Sequence, residues 1–241
     1  MRITPAGTLL LKSAREILAI QENLKQNMKT INSIRPLRVG ATVTVGTNII
    51  GKIVSQMNEL YPDIDIFVNV SNTDHIEHLL LHNELDIALV EGIVTNNELI
   101  THPAFLDKLC IICSSEHPFA KKPYLHASDL HSQNFILREK GSGTRSIFEA
   151  FMSSKHVPYV LKWESTSTPA ILDAVSRNLG LGFVSERCAA KRIAAGELCQ
   201  CPIPDIDSER FFYLCYSKSH PMTSQMKDFS EYISSLPTDF S

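Results

Sequence analysis

The 241 residues carry 23 Lys+Arg against 26 Asp+Glu, a net charge of −3, and 44% of them are hydrophobic. That length suits one large domain or two of roughly 100 residues each, with enough chain to bury a core. The balanced charge lacks the basic footprint of a nucleic-acid binder, and no apolar run is long enough to span a bilayer.

At the N-terminus Lys12, Arg15 and Glu16 interrupt the apolar residues, unlike a secretory signal, so a cytoplasmic protein is expected. The cysteines are Cys110, Cys113, Cys188, Cys199, Cys201 and Cys215. A chain of this size needs no disulfide staples, and reduced thiols are expected. Cys110 and Cys113 form a C-x-x-C within an apolar stretch that reads as a strand, where i and i+3 face opposite sides. They are read as core residues rather than zinc ligands.

From Thr4 to Ile34 the pattern is helical, opening on Thr4 as cap with Pro5 in the first turn, and Pro36 ends it. Leu10, Ile17, Leu24 and Ile31 recur every seven residues, with Ala14, Gln21 and Met28 four after the first three. That is a coiled-coil spacing, and it predicts a dimerisation helix in which polar Gln21 fixes register. An amphipathic helix lying on its own domain is the alternative.

After Pro36, strands and helices alternate. Strands are predicted at 37–41, 64–70, 85–90 and 105–113, with helices at 47–61 and 73–82. The grammar restarts after the turn-rich 114–118: strands at 135–137, 160–163, 182–184 and 211–216, helices at 143–153, 169–178 and 222–236. Gly180 and Gly182 read as a helix C-cap and a strand-entry glycine. Such alternation predicts two Rossmann-like α/β halves with parallel pairing.

In parallel sheets ligands gather at the carboxyl ends of strands, so the turns that open helices are the places to look. Four are rich in hydroxyls: 42–46 (Thr42, Thr44), 71–74 (Asn72, Thr73), 141–144 (Ser142, Thr144) and 165–168 (Thr166, Ser167). Hydroxyls beside free N–H groups at a helix start suit a small anion or carboxylate, although the same residues serve as ordinary caps. Glu91, at the end of a strand on the same edge, either recognises a ligand donor or is simply exposed. His78 and His82, with His75 alongside, have the i, i+4 spacing of metal ligands but no third partner. No metal, cofactor or catalytic set is therefore expected.

Taken in order, these segments resemble the LysR-type transcriptional regulators. The carriers are Ile3-Thr4-Pro5-Ala6-Gly7 with Leu10, Leu37-Arg38-Val39-Gly40-Ala41, Leu60-Tyr61-Pro62-Asp63-Ile64 and the run from Glu84 to Gly92. Ser115-Glu116-His117-Pro118-Phe119-Ala120, the run from Arg138 to Arg145, and Ala174-Val175 with Leu179-Gly180-Leu181-Gly182-Phe183 complete them.

The resemblance spans Ile3 to about Leu236. It implies a linker helix (1–35) and a fold like the type 2 periplasmic binding proteins, with subdomain I (37–114 and 217–241) and subdomain II (115–216) around a ligand cleft. It also implies a small effector bound at Thr42 and Thr44 and, by position, at Ser142, Thr144, Thr166 and Ser167. Self-association as homodimer or homotetramer would follow. Members begin with a winged helix-turn-helix, whereas this chain starts where that domain would end, so DNA contact is expected only through such a domain. A solute-binding protein of a transport system, with the same cleft, is the alternative, and an enzyme is the more distant one.

Overall fold

A computed structural model describes residues 4–29, 35–92, 94 and 96–240. Helix α1 (Pro5–Lys29) opens as expected, with the Thr4 hydroxyl accepting from the Gly7 N–H at 3.1 Å. Of its seven-residue stripe, Leu10 (72% exposed) and Ile17 (63%) face solvent, Gln21 is exposed and Ala14 half-buried. The side chains of Leu24 and Met28, and the whole of Ile31, lie outside the described residues. Among those residues no helix is long and apolar enough to cross a membrane.

The body is built from two sheets that share one strand, β4. The first half contributes β1 (Leu37–Thr42), α2 (Val43–Asn48), α3 (Ile50–Leu60), β2 (Ile66–Ser71), α4 (Thr73–Leu81), β3 (Ile87–Glu91) and the long β4 (Leu99–Ser114). The second contributes β5 (Asn134–Arg138), α5 (Gly143–Ser154), β6 (Val160–Ser165), α6 (Thr168–Ser176), β7 (Leu181–Ser185), α7 (Glu186–Ala194) and β8 (Leu198–Cys201). Then β9 (Glu209–Ser217) returns to the first half, and α8 (Ser224–Ser235) follows. The strand order is β2-β1-β3-β9-β4-β7-β5-β6, with β8 also on β4.

The pairing is mixed rather than parallel throughout. β1 runs parallel to β2 and β3, and β5 to β6 and β7. β9 is antiparallel to β3 and β4, and β4 to β7 and β8. The cause is β4, which pairs with β9 over Leu99–Lys108, then with β7 from Leu109 and β8 from Ile111. β4 takes the chain out of the first sheet and β9 brings it back in the opposite direction.

Each sheet is covered on both faces, as an α/β sheet must be. Alternation along β4 sends Leu109, Ile111 and Cys113 to one layer and Cys110 and Ile112 to the other. The two cysteines of the C-x-x-C thus lie on opposite sides of the sheet, and all six cysteines are free thiols.

Other local expectations need correction. The first effector-side helix begins at Val43, not Thr47, and breaks at Ile49, so the turn 42–46 is mostly helix. Asn178, at φ +59°, takes the left-handed position after α6, and Gly180 is required for another reason: a Cβ there would stand 2.9 Å from the Asn134 carbonyl oxygen. Helix α7 and strand β8 were not foreseen, because α7 is strongly polar on average and fully buries only Ala189.

Candidate functional site

The carboxyl ends of β1 and β3 and the start of α5 meet at one place. Ala41 pairs with Leu89, which sets Thr42 beside the last residues of β3, where Glu91 stands. Glu91 is not exposed: at 1% exposure it is among the most buried charges of the chain. Its carboxylate accepts from the Thr144 hydroxyl at 3.3 Å and from Arg210 Nη2 at 3.1 Å. Arg138 Nη1 stands 3.9 Å away.

Burying charge is costly unless it is paired and hydrogen-bonded, and the pairing here continues along the crossing strands. Arg210 Nε donates to Asp107 Oδ2 at 2.8 Å, and Arg210 Nη1 to the Thr144 hydroxyl at 2.9 Å. Asp107 also accepts from the Ser185 hydroxyl at 2.7 Å and faces Arg187 at 3.4 Å. Arg138, 2% exposed, grips Glu139 with two bonds of 2.8 and 2.9 Å. Burial works to raise the Glu139 carboxyl, but the Arg138 guanidinium outweighs it and holds the group ionised below the usual carboxylate range. Arg145 is engaged by Glu149 and Glu164.

The two halves touch on both flanks of this network. On one, the Thr73 hydroxyl donates to the Glu91 carbonyl at 3.0 Å and accepts from the Gly143 N–H at 3.2 Å, while the Asp74 N–H donates to the Gly141 carbonyl at 3.2 Å. Gly143 has to be glycine: a Cβ would collide with the Glu91 carbonyl and stand 3.0 Å from the Gly92 Cα. On the other flank Asn48 Nδ2 donates to Cys188 Sγ at 3.2 Å, joining α2 to α7. Burial raises the Cys188 thiol, which stays protonated as an acceptor there.

Within this paired surrounding two hydroxyls stand apart. Thr42 Oγ1 and Ser142 Oγ belong to residues that are 0% exposed, and neither has a hydrogen-bond partner among the described residues. Thr42 precedes α2 without capping it, and Ser142 precedes α5 without capping it. Native structures leave few buried polar atoms unsatisfied.

Of the residues singled out in the sequence, Thr73, Glu91 and Thr144 touch directly, with Ser142 adjoining Gly143 and Thr42 beside β3. Thr44 is buried at the second position of α2. Asn72 caps α4 by accepting from the His75 N–H at 3.0 Å. Thr166 and Ser167 are exposed. Ser167 caps α6 at 3.4 Å from the Ala170 N–H, and no hydrogen bond or ion pair among the described residues joins the two to the Glu91 cluster. His75, His78 and His82 are exposed and stack their rings along α4. Arg138, Asp107 and Arg210 were missed by sequence reasoning. Their signal was a charge set into an otherwise apolar strand, which is tolerated only when a partner waits across the fold.

Two α/β sheets joined through β4, with the chain returning to the first on β9 and with helix starts and buried hydroxyls where the halves meet, define a two-subdomain ligand-binding fold of the type 2 periplasmic-binding-protein kind. The chain matches the LysR substrate binding domain over residues 33–236, and it belongs to that family of transcriptional regulators. It is 26% identical over 239 residues to the HTH-type transcriptional regulator CysL of Bacillus subtilis, covering 98% of this chain and 79% of that one. A probable RuBisCO transcriptional regulator of Emiliania huxleyi is 28% identical, with 96% and 76% covered. Among solved structures, the CcmR regulatory domain of Synechocystis PCC6803 in complex with 2-PG superposes with a TM-score of 0.77 at 25% identity, covering 83% of this chain and 95% of that one. The effector binding domain of QuiR in complex with shikimate superposes at 0.75 and 19% identity, covering 83% and 96%, a likeness of fold.

Proposed function

We propose that this chain is the sensing and self-associating part of a transcription regulator acting in the cytoplasm, and that it takes a small anionic or carboxylate effector between its subdomains. The observation that carries the reading is the pair of buried, unpartnered hydroxyls of Thr42 and Ser142. A ligand with acceptor oxygens satisfies both, and each hydroxyl can also accept from a ligand donor. The site lies between the sheets, so a ligand held by both halves favours one angle between them over another. The relatives' small ligands, 2-PG for CcmR and shikimate for QuiR, agree with an occupant of that size.

Strand pairing supports dividing the subdomains where β4 changes partner, near Lys108, and where β9 begins, near Glu209. Those points lie several residues before 114/115 and 216/217. Self-association is supported by the exposed Leu10 and Ile17 on α1. Phe67 on β2 and Trp163 on β6, exposed on the two outermost strands, agree with it. Control of transcription would then run through a DNA-binding domain joined to α1.

The test is a thermal-shift panel of 2-PG, shikimate, inorganic phosphate and small dicarboxylates. A ligand at about 100 times its Kd adds about 2.7 kcal/mol. A hit should be lost in Thr42→Val and in Ser142→Ala. A hit that survives both changes, or a panel without hits, overturns the reading.

A further inference from the structure

Away from the cleft, a groove of about 530 Å³ opens between α8 and the strands β4 and β9. That volume lies within the range of small-molecule sites. Its floor is the sheet: Leu214 and Tyr216 project from the same face of β9, and His102 lies opposite Leu214 on β4. Met222 closes one end. The wall is one face of α8, with Lys227, Ser230, Glu231 and Ser234 at helical spacing.

Two features of that wall are unusual. Ser230 Oγ is buried without a hydrogen-bond partner among the described residues. A helical serine normally returns its hydroxyl to a carbonyl one turn back, as Ser234 does to Ser230 at 2.8 Å and Ser235 to Tyr232 at 2.7 Å. One turn before it, the Lys227 ammonium makes no ion pair or hydrogen bond with any described residue, although Glu231 lies four residues away on the same helix. A donor hydroxyl and an ammonium therefore flank an apolar, aromatic floor, where the His102 and Tyr216 rings stack at 6.0 Å.

The geometry points to a second ligand site here, for a small carboxylate with an aromatic or apolar body. The body lies on Leu214, Met222 and the Tyr216 ring, and the carboxylate accepts from Lys227 Nζ and the Ser230 hydroxyl. Glu231 at the rim repels a second negative charge, which favours monocarboxylates over dianions. The site is independent of the cleft and does not rest on the effector reading above.

Three near-isosteres test it on the full chain: phenylacetate, 2-phenylethanol and 2-phenylethylamine, followed by calorimetry and by the Met222 methyl resonance. Phenylacetate should bind saturably and move that resonance, with the alcohol and amine about tenfold weaker or more, the value of a charge-assisted hydrogen bond. Lys227→Gln and Ser230→Ala should each weaken phenylacetate by a similar factor, with a melting temperature that is unchanged or, for Ser230→Ala, raised, while Thr42→Val leaves binding intact. Equal binding of the three compounds, absence of saturation, or undiminished binding in Lys227→Gln overturns the proposal. Loss in Thr42→Val also overturns it, by assigning the ligand to the cleft.

Discussion

Arg210 on β9 donates to Glu91 at the end of β3 at 3.1 Å, and the same guanidinium donates to Thr144 in the first turn of α5 at 2.9 Å. One side chain on a crossing strand thus holds a residue from each half. Since β9 is the strand on which the chain re-enters the first half and pairs with β4, the charge that joins the subdomains sits where the chain passes between them. A change in their relative angle must break or lengthen one of these bonds.

Replacing Arg210 with Met should be severely destabilising. Asp107 keeps Ser185 and Arg187, but Glu91 is left with Thr144 at 3.3 Å and Arg138 at 3.9 Å. Stranding a buried charge costs about 3–5 kcal/mol, or roughly 10 °C in Tm at this length. The double variant Glu91→Gln/Arg210→Met should recover about 1–3 kcal/mol of the loss. Additive losses in a chemical-denaturation cycle would show that the pair is not coupled.

Gly143→Ala probes the opposite flank. The new methyl group meets backbone, the Glu91 carbonyl and the Gly92 Cα, rather than a flexible side chain that can swing away. Overpacking of this kind costs about 1–3 kcal/mol. The α4–α5 contact should open, read as faster amide exchange at Gly143, whose N–H donates to Thr73. An unchanged Tm and exchange rate would mean that the halves do not meet there in solution.

Most of the fold was legible because short apolar runs between turn residues mark β1, β5 and β7, each nearly or fully buried. The N-terminal part of β4 was hidden by Thr101, His102 and Pro103, all exposed on a strand with only one partner there. Of the site, the hydroxyls were visible because helix starts announce themselves locally. Arg210 was not, because its partners Asp107 and Glu91 lie 103 and 119 residues away in sequence. Local patterns carry no information about a pairing that exists only after two sheets have been joined.

Asp86 gives the chain an acid-sensitive joint. Its carboxylate accepts from the Arg38 N–H at 2.7 Å and from Arg38 Nη2 at 2.5 Å, with His220 Nε2 at 3.2 Å. Burial alone would raise the group, but the His220 and Arg38 hydrogen bonds outweigh it and hold the carboxyl far below the ordinary range. A depressed carboxyl stabilises the fold fully above its unfolded pKa of about 3.9 and loses that contribution as pH falls further. Asp86→Asn should therefore cost about 3 kcal/mol at neutral pH, and the gap to the parent should narrow only below about pH 4. A gap that closes between pH 5 and 7 would assign the effect to another group.

Thr42→Val separates stability from binding. The change swaps an unpartnered buried hydroxyl for a methyl group of similar shape, so a desolvation cost of about 1–3 kcal/mol disappears with no bond lost. The variant should melt at or above the parent's Tm in the absence of ligand. With a saturating ligand the order should reverse, because only the parent gains the binding increment. Ser142→Ala should behave in the same way, since its hydroxyl is equally unpartnered. A Thr42→Val variant that is destabilised without ligand would show that the hydroxyl has a partner within the fold, and its role would then be structural.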